Sequence, residues 1–371
     1  MNRASLWLII CVSILFAMGL LMVFNTTSAE IIDRSLDIST HAALVKQITY
    51  GFIGLIVGLV VYSYGYESLL RWSVPLLIAS TVLLVLVFVP SIGQTINGAH
   101  RWIGIGGFTF QPSECVKILI PLCFIRWVLQ QQGPIAFKPF LKTLGLLSLP
   151  SGLILMEPDN GTTLIICSCL AILFLLTRIQ WVYWALPLMA LMGIGGIAAY
   201  KMPHTHDRIR VYMHPELDIR GKGHQPHQAK IAAGSGQLLG VGIGESLQKL
   251  NYLPEARSDY IAAIYAEECG FVGILGLVAL YMSFAYAGFL IALRALDRGG
   301  FLIAAILTFL IAIQAFLNLG IVSGLLPSKG MTLPFFSQGG SSLIMNIAAL
   351  FILLDIGRSP IKTWLAKDKA T

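Results

Sequence analysis

Residues 6–24 of the chain read LWLIICVSILFAMGLLMVF, a run of 19 residues that contains no charged side chain. A helix needs roughly 20 predominantly apolar residues to cross about 30 Å of hydrocarbon, so this run predicts a membrane-spanning helix. The run is too long for the apolar region of a secretory signal peptide, and we interpret it as a retained span. Nine further apolar runs follow, near residues 47–66, 73–90, 115–130, 143–156, 162–177, 181–200, 261–290, 300–325 and 341–356.

The composition of the whole chain is typical of an integral membrane protein. Hydrophobic residues make up 56% of the sequence and charged residues 12%, whereas about a quarter of the residues in a soluble domain are charged. We therefore predict an all-α, polytopic membrane protein with about ten transmembrane helices in a single domain, residues 1–371. A large extracytoplasmic loop, residues 200–260, precedes the eighth helix, and a short basic tail, residues 357–371, follows the last one.

The distribution of lysine and arginine predicts the orientation of the chain. Short basic loops stay in the cytoplasm, whereas long loops are translocated largely regardless of their charge. Alternating ten spans from a cytoplasmic start places twelve lysines and arginines in the inner segments, only four in the short outer loops and eight in the long outer loop, with both termini in the cytoplasm. The net charge of +7 is then explained by anchoring at the inner face. No basic run with interleaved aromatic residues indicates nucleic-acid binding.

The cysteines and histidines give no sign of a metal site. All six cysteines lie in or beside apolar runs, and none lies in the outer loop, where a disulfide framework would be useful. The scattered histidines of that loop lack the spacing of zinc ligands. We therefore expect no protein-bound metal.

The first polar segment at the predicted outer face, residues 97–114, reads NGAHRWIGIGGFTFQPSE. Its glycines and Trp102 predict a tight loop at the membrane interface, and Ser113 is expected to cap the following helix. Glu114 and Lys117 are i, i+3 neighbours, which is also the pattern of a simple self-neutralising pair. A lysine inside an apolar run costs roughly 2.5–3.5 kcal/mol, and this penalty favours a functional role.

Two other outer segments are short and rich in turn residues. Residues 157–162 read EPDNGT, a predicted turn between two spans that carries Asp159. Residues 326–342 read LPSKGMTLPFFSQGGSS and carry Lys329 and Ser342. Each segment could be an ordinary connector between helices, or the polar edge of a site.

The large outer loop carries Arg208 and Arg210 and runs directly into the eighth span. Asp259 would be a first-turn acid with Ser258 as the cap if the segment were merely a helix start. Glu267 and Glu268 lie about two turns deeper. Carboxylates inside a span need a partner or a cavity, so these two are harder to explain as ordinary surface residues.

In order and spacing, these segments resemble the SEDS family (shape, elongation, division and sporulation), the FtsW/RodA type. The resemblance rests on GAHRWI at 98–103, QPSE at 111–114, PDNGT at 158–162, LPEARSDY at 253–260 and the closing segment 326–342. It covers nearly the whole chain and is closer to the division (FtsW) branch than to the elongation (RodA) branch. The chain departs from the family pattern at four positions: Arg257, Ser258, Tyr260 and Gln338.

The resemblance implies a peptidoglycan glycosyltransferase that polymerises lipid II at the outer face of the bacterial cytoplasmic (inner) membrane. The expected role is septal cell-wall synthesis in cell division, or elongation if the chain is RodA-like. The implied partners are a class B penicillin-binding protein, which is a transpeptidase, other divisome proteins and membrane lipid. Nothing in the sequence requires a cofactor, although Mg²⁺ or Mn²⁺ would be compatible with a diphosphate substrate.

The same resemblance assigns expected roles to residues. Asp259 is expected to be the general base that takes a proton from the acceptor sugar hydroxyl. The cations expected to hold the lipid diphosphate are Lys117, Arg101, Arg208, Arg210 and Lys329. Glu114 is expected to pair with Lys117, and Gln111 and Ser342 to line the cavity. The further candidates are Glu255, Glu267, Glu268 and Asp159.

Two other classes of function fit a polytopic chain with buried charges. A lipid II flippase would be expected to show inverted repeats or paired broken helices, and the sequence has no clear internal duplication. A non-catalytic scaffold for a transpeptidase would not need Lys117, Glu267 and Glu268 inside spans. Synthesis of glycan strands from lipid II in detergent would rule out transport as the sole activity.

Overall fold

The structure, a computed structural model, describes residues 2–34, 41–96, 99–105, 108–185, 189, 224–250, 253, 256–327 and 330–358. Helices account for most of these residues, and a small sheet lies between the third and fourth. The helices are α1 (Arg3–Arg34), α2 (Ala42–Tyr64), α3 (Tyr66–Val87), α4 (Pro112–Leu129), α5 (Phe137–Met156), α6 (Asn160–Leu176), α7 (His224–Ser235), α8 (Ile261–Leu293), α9 (Arg298–Val322) and α10 (Gly340–Arg358). The strands are β1 (Gly93–Ile96), β2 (Ala99–Ile105) and β3 (Phe108–Phe110).

The prediction of a polytopic helical membrane protein is confirmed. Within the described residues, seven helices are long and apolar enough to cross a membrane: α1, α2, α3, α5, α8, α9 and α10. Helix α6 is shorter, with 17 residues, and α4 carries three charged side chains, Glu114, Lys117 and Arg126, among its 18 residues. Of the predicted span 181–200, the described residues are only 181–185, which are helical, and residue 189. The count of ten spans therefore stays a prediction.

The segment before α4 is a small antiparallel sheet, whereas a tight loop at the membrane interface was predicted from the sequence. Strand β2 pairs with both neighbours in the order β1-β2-β3, with Gln94 opposite Trp102 and Gly104 opposite Thr109. The phenolic oxygen of Tyr50 accepts from the backbone N–H of Thr109 at 3.0 Å. The apolar and β-branched residues among the glycines suit strands, and the sheet holds the chain leading into α4 against α2.

The predicted starts of two helices need correction. Helix α4 has Pro112 at its first turn and Gln111 as the N-cap, so Ser113 lies inside the helix. Proline suits this position because its missing N–H would have had no intrahelical partner. Helix α8 begins at Ile261, with Tyr260 as the N-cap. Asp259 therefore precedes the helix and is not the first-turn acid of the simplest interpretation.

Helix α9 lies at the centre of the bundle. It packs against α4, α6, α8 and α10, and 72% of an 18-residue apolar stretch of this helix is buried. The most extensive contact between two helices joins α2 and α10. There, a Cβ added to Gly58 would lie 2.3 Å from the ring of Phe351, so only glycine allows this approach. These contacts bring the N-terminal ends of α2, α4 and α10 together with the C-terminal half of α9.

Helix α8 is broken at Gly270, which has φ +66° and ψ −167°. The glycine-rich segment 237–242 fills the break by pairing with it in both directions. Val241 and Gly242 donate to the carbonyl oxygens of Glu267 and Glu268 at 3.0 and 3.1 Å, and the Phe271 N–H donates to Gln237. Such external bonds satisfy backbone groups that a helix break would leave unpaired. The break thus fixes the glycine-rich segment beside Glu267 and Glu268.

Candidate functional site

A polar cavity of about 750 Å³ lies where the four polar segments meet. Its lining comes from α2, β2, β3, α4, α6, α7, α9 and α10 and from the segments that precede α4, α6, α8 and α10. Seven residues singled out from the sequence line it: Asp259, Lys117, Glu114, Arg101, Gln111, Asp159 and Ser342. Residues separated by more than 200 positions in the chain therefore form one lining.

Lys117 forms the buried, cationic part of this lining. Its side chain is 1% exposed, and its Nζ donates to Glu114 Oε2 at 2.6 Å and to Gln314 Oε1 at 2.8 Å. The i, i+3 spacing on α4 places the two charges on one face, and Gln314, the second partner of Lys117, comes from α9. A buried charge is tolerated when it is paired and its hydrogen bonds are satisfied, so the ammonium is held at the cavity wall.

Asp259 lines the cavity from the turn before α8. Asn318 on α9 donates to its backbone oxygen at 2.9 Å, and Arg257 and Ser258 line the cavity beside it. Tyr260 is buried, and its phenol pKa is raised above the ordinary value, first by burial and then by the negative charge of Asp259. The phenol therefore stays neutral next to a carboxylate that faces the cavity.

Arg101 on β2 closes one side of the cavity by binding the backbone of the α5–α6 turn. Its Nε donates to the Glu157 oxygen at 2.8 Å and its Nη2 to the Pro158 oxygen at 2.7 Å. The Glu157 carboxyl is fully buried, with no hydrogen-bond partner among the described residues. Burial, and then the charge of Asp159, raise its pKa to about 8, although Arg101 acts in the opposite direction. The sequence analysis did not single out Glu157.

Asp159 caps helix α6, so it has a structural role as well as a place in the lining. Its Oδ1 accepts from the Thr162 N–H at 3.1 Å and its Oδ2 from the Thr162 hydroxyl at 2.8 Å. Gln111 Nε2 also donates to Oδ2, at 3.2 Å, which connects the starts of α4 and α6. Capping of this kind is worth about 1 kcal/mol.

Helix α10 contributes two adjacent serines to the site. The Ser341 hydroxyl accepts from the Gln111 N–H at 2.8 Å, and the Ser342 hydroxyl accepts from Thr332 Oγ1 at 3.1 Å. The expected position of Gln111 and Ser342 in a cavity lining agrees with this geometry. Their part in binding a substrate stays a prediction.

Glu267 and Glu268 belong to a buried network separate from the cavity lining. Glu268 pairs with Lys249 Nζ at 3.0 Å and accepts from Asn25 Nδ2 at 2.6 and 2.8 Å. Glu267 accepts from the Ser246 hydroxyl and from the Leu247 N–H. These partners satisfy the expectation that carboxylates in a span are paired, and neither carboxylate lines the cavity.

Four residues named in the sequence analysis lie outside the described residues: Arg208, Arg210, Glu255 and Lys329. The same is true of residues 359–371 of the predicted tail and of residues 200–223, 251, 252, 254 and 255 of the predicted large loop. In the part of the chain that the structure describes, no three metal-ligating side chains come together. A divalent cation therefore stays an open expectation of the sequence analysis.

Several lining residues were not singled out from the sequence: Lys46, Gln47, Tyr50, Gln314 and Thr332. Gln314 and its neighbour on the same helix, Asn318, did carry a signal. Both are uncharged amides in the middle of the apolar run 300–325, where polar groups are rare and often functional. The other positions lie at helix ends or in loops, where polar residues are ordinary.

Comparison with known proteins shows the family to which the chain belongs. The FtsW/RodA/SpoVE family model, described as a cell cycle protein, matches residues 5–361. The probable peptidoglycan glycosyltransferase FtsW of Coxiella burnetii is 37% identical over 357 residues, 94% of this chain and 95% of the relative. The stage V sporulation protein E of Bacillus subtilis is 35% identical over 357 residues, covering 95% and 97%.

Two solved structures share the fold over nearly their full length. A chain from a peptidoglycan synthase complex that coordinates polymerization and crosslinking has a TM-score of 0.77 and 27% identity, with 95% of this chain and 96% of that chain covered. The rod shape determining protein RodA of Thermus thermophilus has a TM-score of 0.68 and 26% identity, with 95% of each chain covered.

Proposed function

Because this chain belongs to the FtsW/RodA/SpoVE family of cell cycle proteins, we propose that it is a peptidoglycan glycosyltransferase that polymerises lipid II. Relatives covering nearly its whole length carry that enzyme name. The observation that carries the proposal for this chain is the single cavity in which a buried cation, Lys117, and a carboxylate, Asp259, face the same space.

The cation side of the cavity suits the leaving group of this reaction. The donor sugar is attached to a lipid diphosphate, and negative charge on the diphosphate increases as the bond to the sugar breaks. Fixed cations at that position stabilise the transition state, and they do so more strongly in a water-poor site. Lys117 is buried on α4 and Arg101 lies on β2, and both line the cavity, so we assign diphosphate binding to these two.

The carboxylate side of the cavity suits activation of the acceptor. The acceptor hydroxyl oxygen forms a bond to the anomeric carbon of the donor, the bond from that carbon to the diphosphate oxygen breaks, and the hydroxyl proton passes to the Asp259 carboxylate. General base catalysis of this kind contributes about 10²–10⁴ in rate. A Mg²⁺ or Mn²⁺ ion used in the reaction would be held mainly by the diphosphate with one or two carboxylates.

The setting proposed for this reaction is the outer face of the bacterial inner membrane, with both termini of the chain in the cytoplasm. The lysine and arginine distribution supports this orientation. Similarity to relatives named FtsW and to a sporulation protein favours a role in division-type wall synthesis. The structural similarity to a complex that couples polymerization with crosslinking supports a class B penicillin-binding protein as the partner.

A polymerisation assay with the purified full-length chain tests the proposal. Fluorescent lipid II is supplied in detergent, with and without a candidate class B penicillin-binding protein, and the products are separated by gel electrophoresis. We expect glycan strands from the wild-type protein and none from Asp259→Asn. Absence of strands under all these conditions, together with accelerated lipid II movement across vesicles, would replace the enzyme with the flippase. Absence of both activities, with a stable complex, would leave the scaffold.

A further inference from the structure

Two amide side chains on one face of α9 connect the two chemical groups of the cavity. Gln314 and Asn318 are i, i+4 neighbours, so they lie one above the other along the helix. They are 2% and 1% exposed, in the helix that packs at the centre of the bundle. Both amides bond to residues outside α9: Gln314 to Lys117 and Thr332, and Asn318 to Asp259 and Met331.

Gln314 joins the cation to the segment before α10. Its Oε1 accepts from Lys117 Nζ at 2.8 Å, and its Nε2 donates to the Thr332 backbone oxygen at 2.9 Å. The two ends of the amide therefore have different partners, one that donates and one that accepts. The position of the ammonium relative to residue 332 is set by the length of one side chain.

Asn318 joins the turn that carries Asp259 to Met331, the residue before Thr332 in the segment that leads into α10. Its Nδ2 donates to the Asp259 backbone oxygen at 2.9 Å and to the Met331 backbone oxygen at 2.6 Å. Both partners are carbonyl oxygens, so the amide orientation is determined, because only the NH₂ group can face them. Its Oδ1 has no hydrogen-bond partner among the described residues.

We propose that Gln314 and Asn318 are positioning residues that hold Lys117 and Asp259 at a fixed separation in the lining of the cavity. Consecutive residues, Met331 and Thr332, form the common support to which both amides bind. The inference rests on the proposed function, since it assigns a purpose to the spacing between the diphosphate-binding cation and the general base. A transfer reaction is sensitive to this spacing because the reacting atoms must approach in a narrow geometry.

The unpaired oxygen of Asn318 argues against a purely stabilising role. A buried acceptor without a partner lowers stability, and an apolar side chain of the same size would avoid that loss in the centre of the bundle. Gln314 likewise places an amide where α9 is otherwise apolar. Both Gln314 and Asn318 are polar, although packing against apolar neighbours alone would favour leucine at these positions.

Hydrogen exchange tests the positioning without reference to any activity. The variant Asn318→Leu keeps the number and branching of the side-chain heavy atoms and removes both donated bonds. We expect faster amide exchange in residues 256–260 and 330–333 of the full-length protein, with the rest of α9 unchanged. The matched control is Thr308→Val, because Thr308 is also buried in α9 but donates only to Ala304 within the helix.

Initial rates of lipid II polymerisation test the function of the spacing. Asn318→Leu should lower kcat by about tenfold or more through displacement of Asp259, with little change in KM. Gln314→Leu should mainly raise the KM for lipid II, by about tenfold, because Lys117 loses a hydrogen bond to its charge. The control Thr308→Val should match the wild-type protein in both parameters.

The outcomes separate this inference from the proposed function. Unchanged exchange in residues 256–260 and 330–333 of Asn318→Leu overturns the positioning, whatever the enzyme does. The positioning is also overturned if both variants show the same changes in kcat and KM together with lower melting temperatures, because that result indicates general destabilisation. A wild-type protein that makes no polymer overturns the proposed function, while the exchange result still decides whether the amides hold the turn. If Asn318→Leu does not fold, Asn318→Asp is used, whose buried carboxyl would keep one donor as the neutral acid.

Discussion

Gly330 lies directly against the carboxylate of Asp259. A Cβ built on Gly330 would stand 2.9 Å from Asp259 Oδ2, closer than real Cβ atoms come to a neighbouring heavy atom. The glycine thus allows the segment before α10 to approach the carboxylate that faces the cavity. This contact joins two of the segments whose motifs were recognised in the sequence, and it gives the first prediction.

Gly330→Ala should lower the polymerisation rate by about an order of magnitude or more, because the added methyl group displaces the Asp259 carboxylate. The backbone of Gly330 does not have a positive φ, so the alanine introduces no backbone strain and the melting temperature should change little. Gly133→Ala is the control, since nothing lies within 4 Å of a Cβ at that position. Equal rates for the two variants would show that the carboxylate tolerates displacement.

Asp259→Asn should fold normally and lose polymerase activity by about 10²–10⁴. The bond from Asn318 goes to the backbone oxygen of Asp259, so the amide side chain leaves that anchor intact. Asp259→Glu should also be severely impaired, because the added methylene misplaces the carboxylate. Retention of more than about a tenth of the wild-type rate by the asparagine variant is incompatible with a general base.

Lys117→Met should lose both activity and stability, because it leaves the Glu114 carboxylate buried without its cation. Breaking a buried pair costs about 3–5 kcal/mol. The double variant Lys117→Met with Glu114→Gln removes the uncompensated charge, so it should regain most of the melting temperature but none of the activity. Recovery of polymerisation in the double variant would show that the cation serves only to neutralise Glu114.

Glu157 should make the stability of the protein depend on pH. Its folded-state pKa of about 8 lies above the ordinary value of 4.5, so the folded protein holds a proton that the unfolded chain releases. This contribution is complete below pH 4.5 and is lost as the pH rises to about 8. The slope is at most about 1.4 kcal/mol per pH unit.

Glu157→Gln should therefore flatten the dependence of the melting temperature on pH across this window, measured on the solubilised full-length chain. The glutamine is uncharged at every pH, so the variant should be the more stable of the two near pH 8. Parallel pH curves for the variant and the wild-type protein would mean that Glu157 does not titrate in this window.

The orientation of the chain can be tested with reporters. A fusion after Thr371 should behave as cytoplasmic, and one inserted near His224 should behave as external, because the two positions lie on opposite sides of the predicted topology. A cytoplasmic signal at position 224 would place the cavity on the inner face and contradict the proposed reaction at the outer one.

Much of the architecture could be predicted from the sequence because membrane insertion is a local property of the chain. An apolar run is excluded from water wherever it lies in the fold, so most predicted spans coincide with helices. The sheet at residues 93–110 was missed, since its strands are short, rich in glycine and stabilised by contact with Tyr50 on α2. The helix starts at Pro112 and Ile261 were displaced by a few residues because capping depends on backbone geometry.

The sequence by itself determined the class of protein, the family and the two groups expected to carry the chemistry, Lys117 and Asp259. Motif spacing and the free-energy penalty for a charge in a span were sufficient for that. Only the tertiary structure decided which polar residues share the cavity. It paired Glu268 with Lys249 and Glu267 with Ser246, and it bonded Gln314 to Lys117 and Asn318 to the backbone of Asp259. The physical reason is that hydrogen bonds and ion pairs act over about 3 Å. Partners distant in the chain come that close only when helices pack.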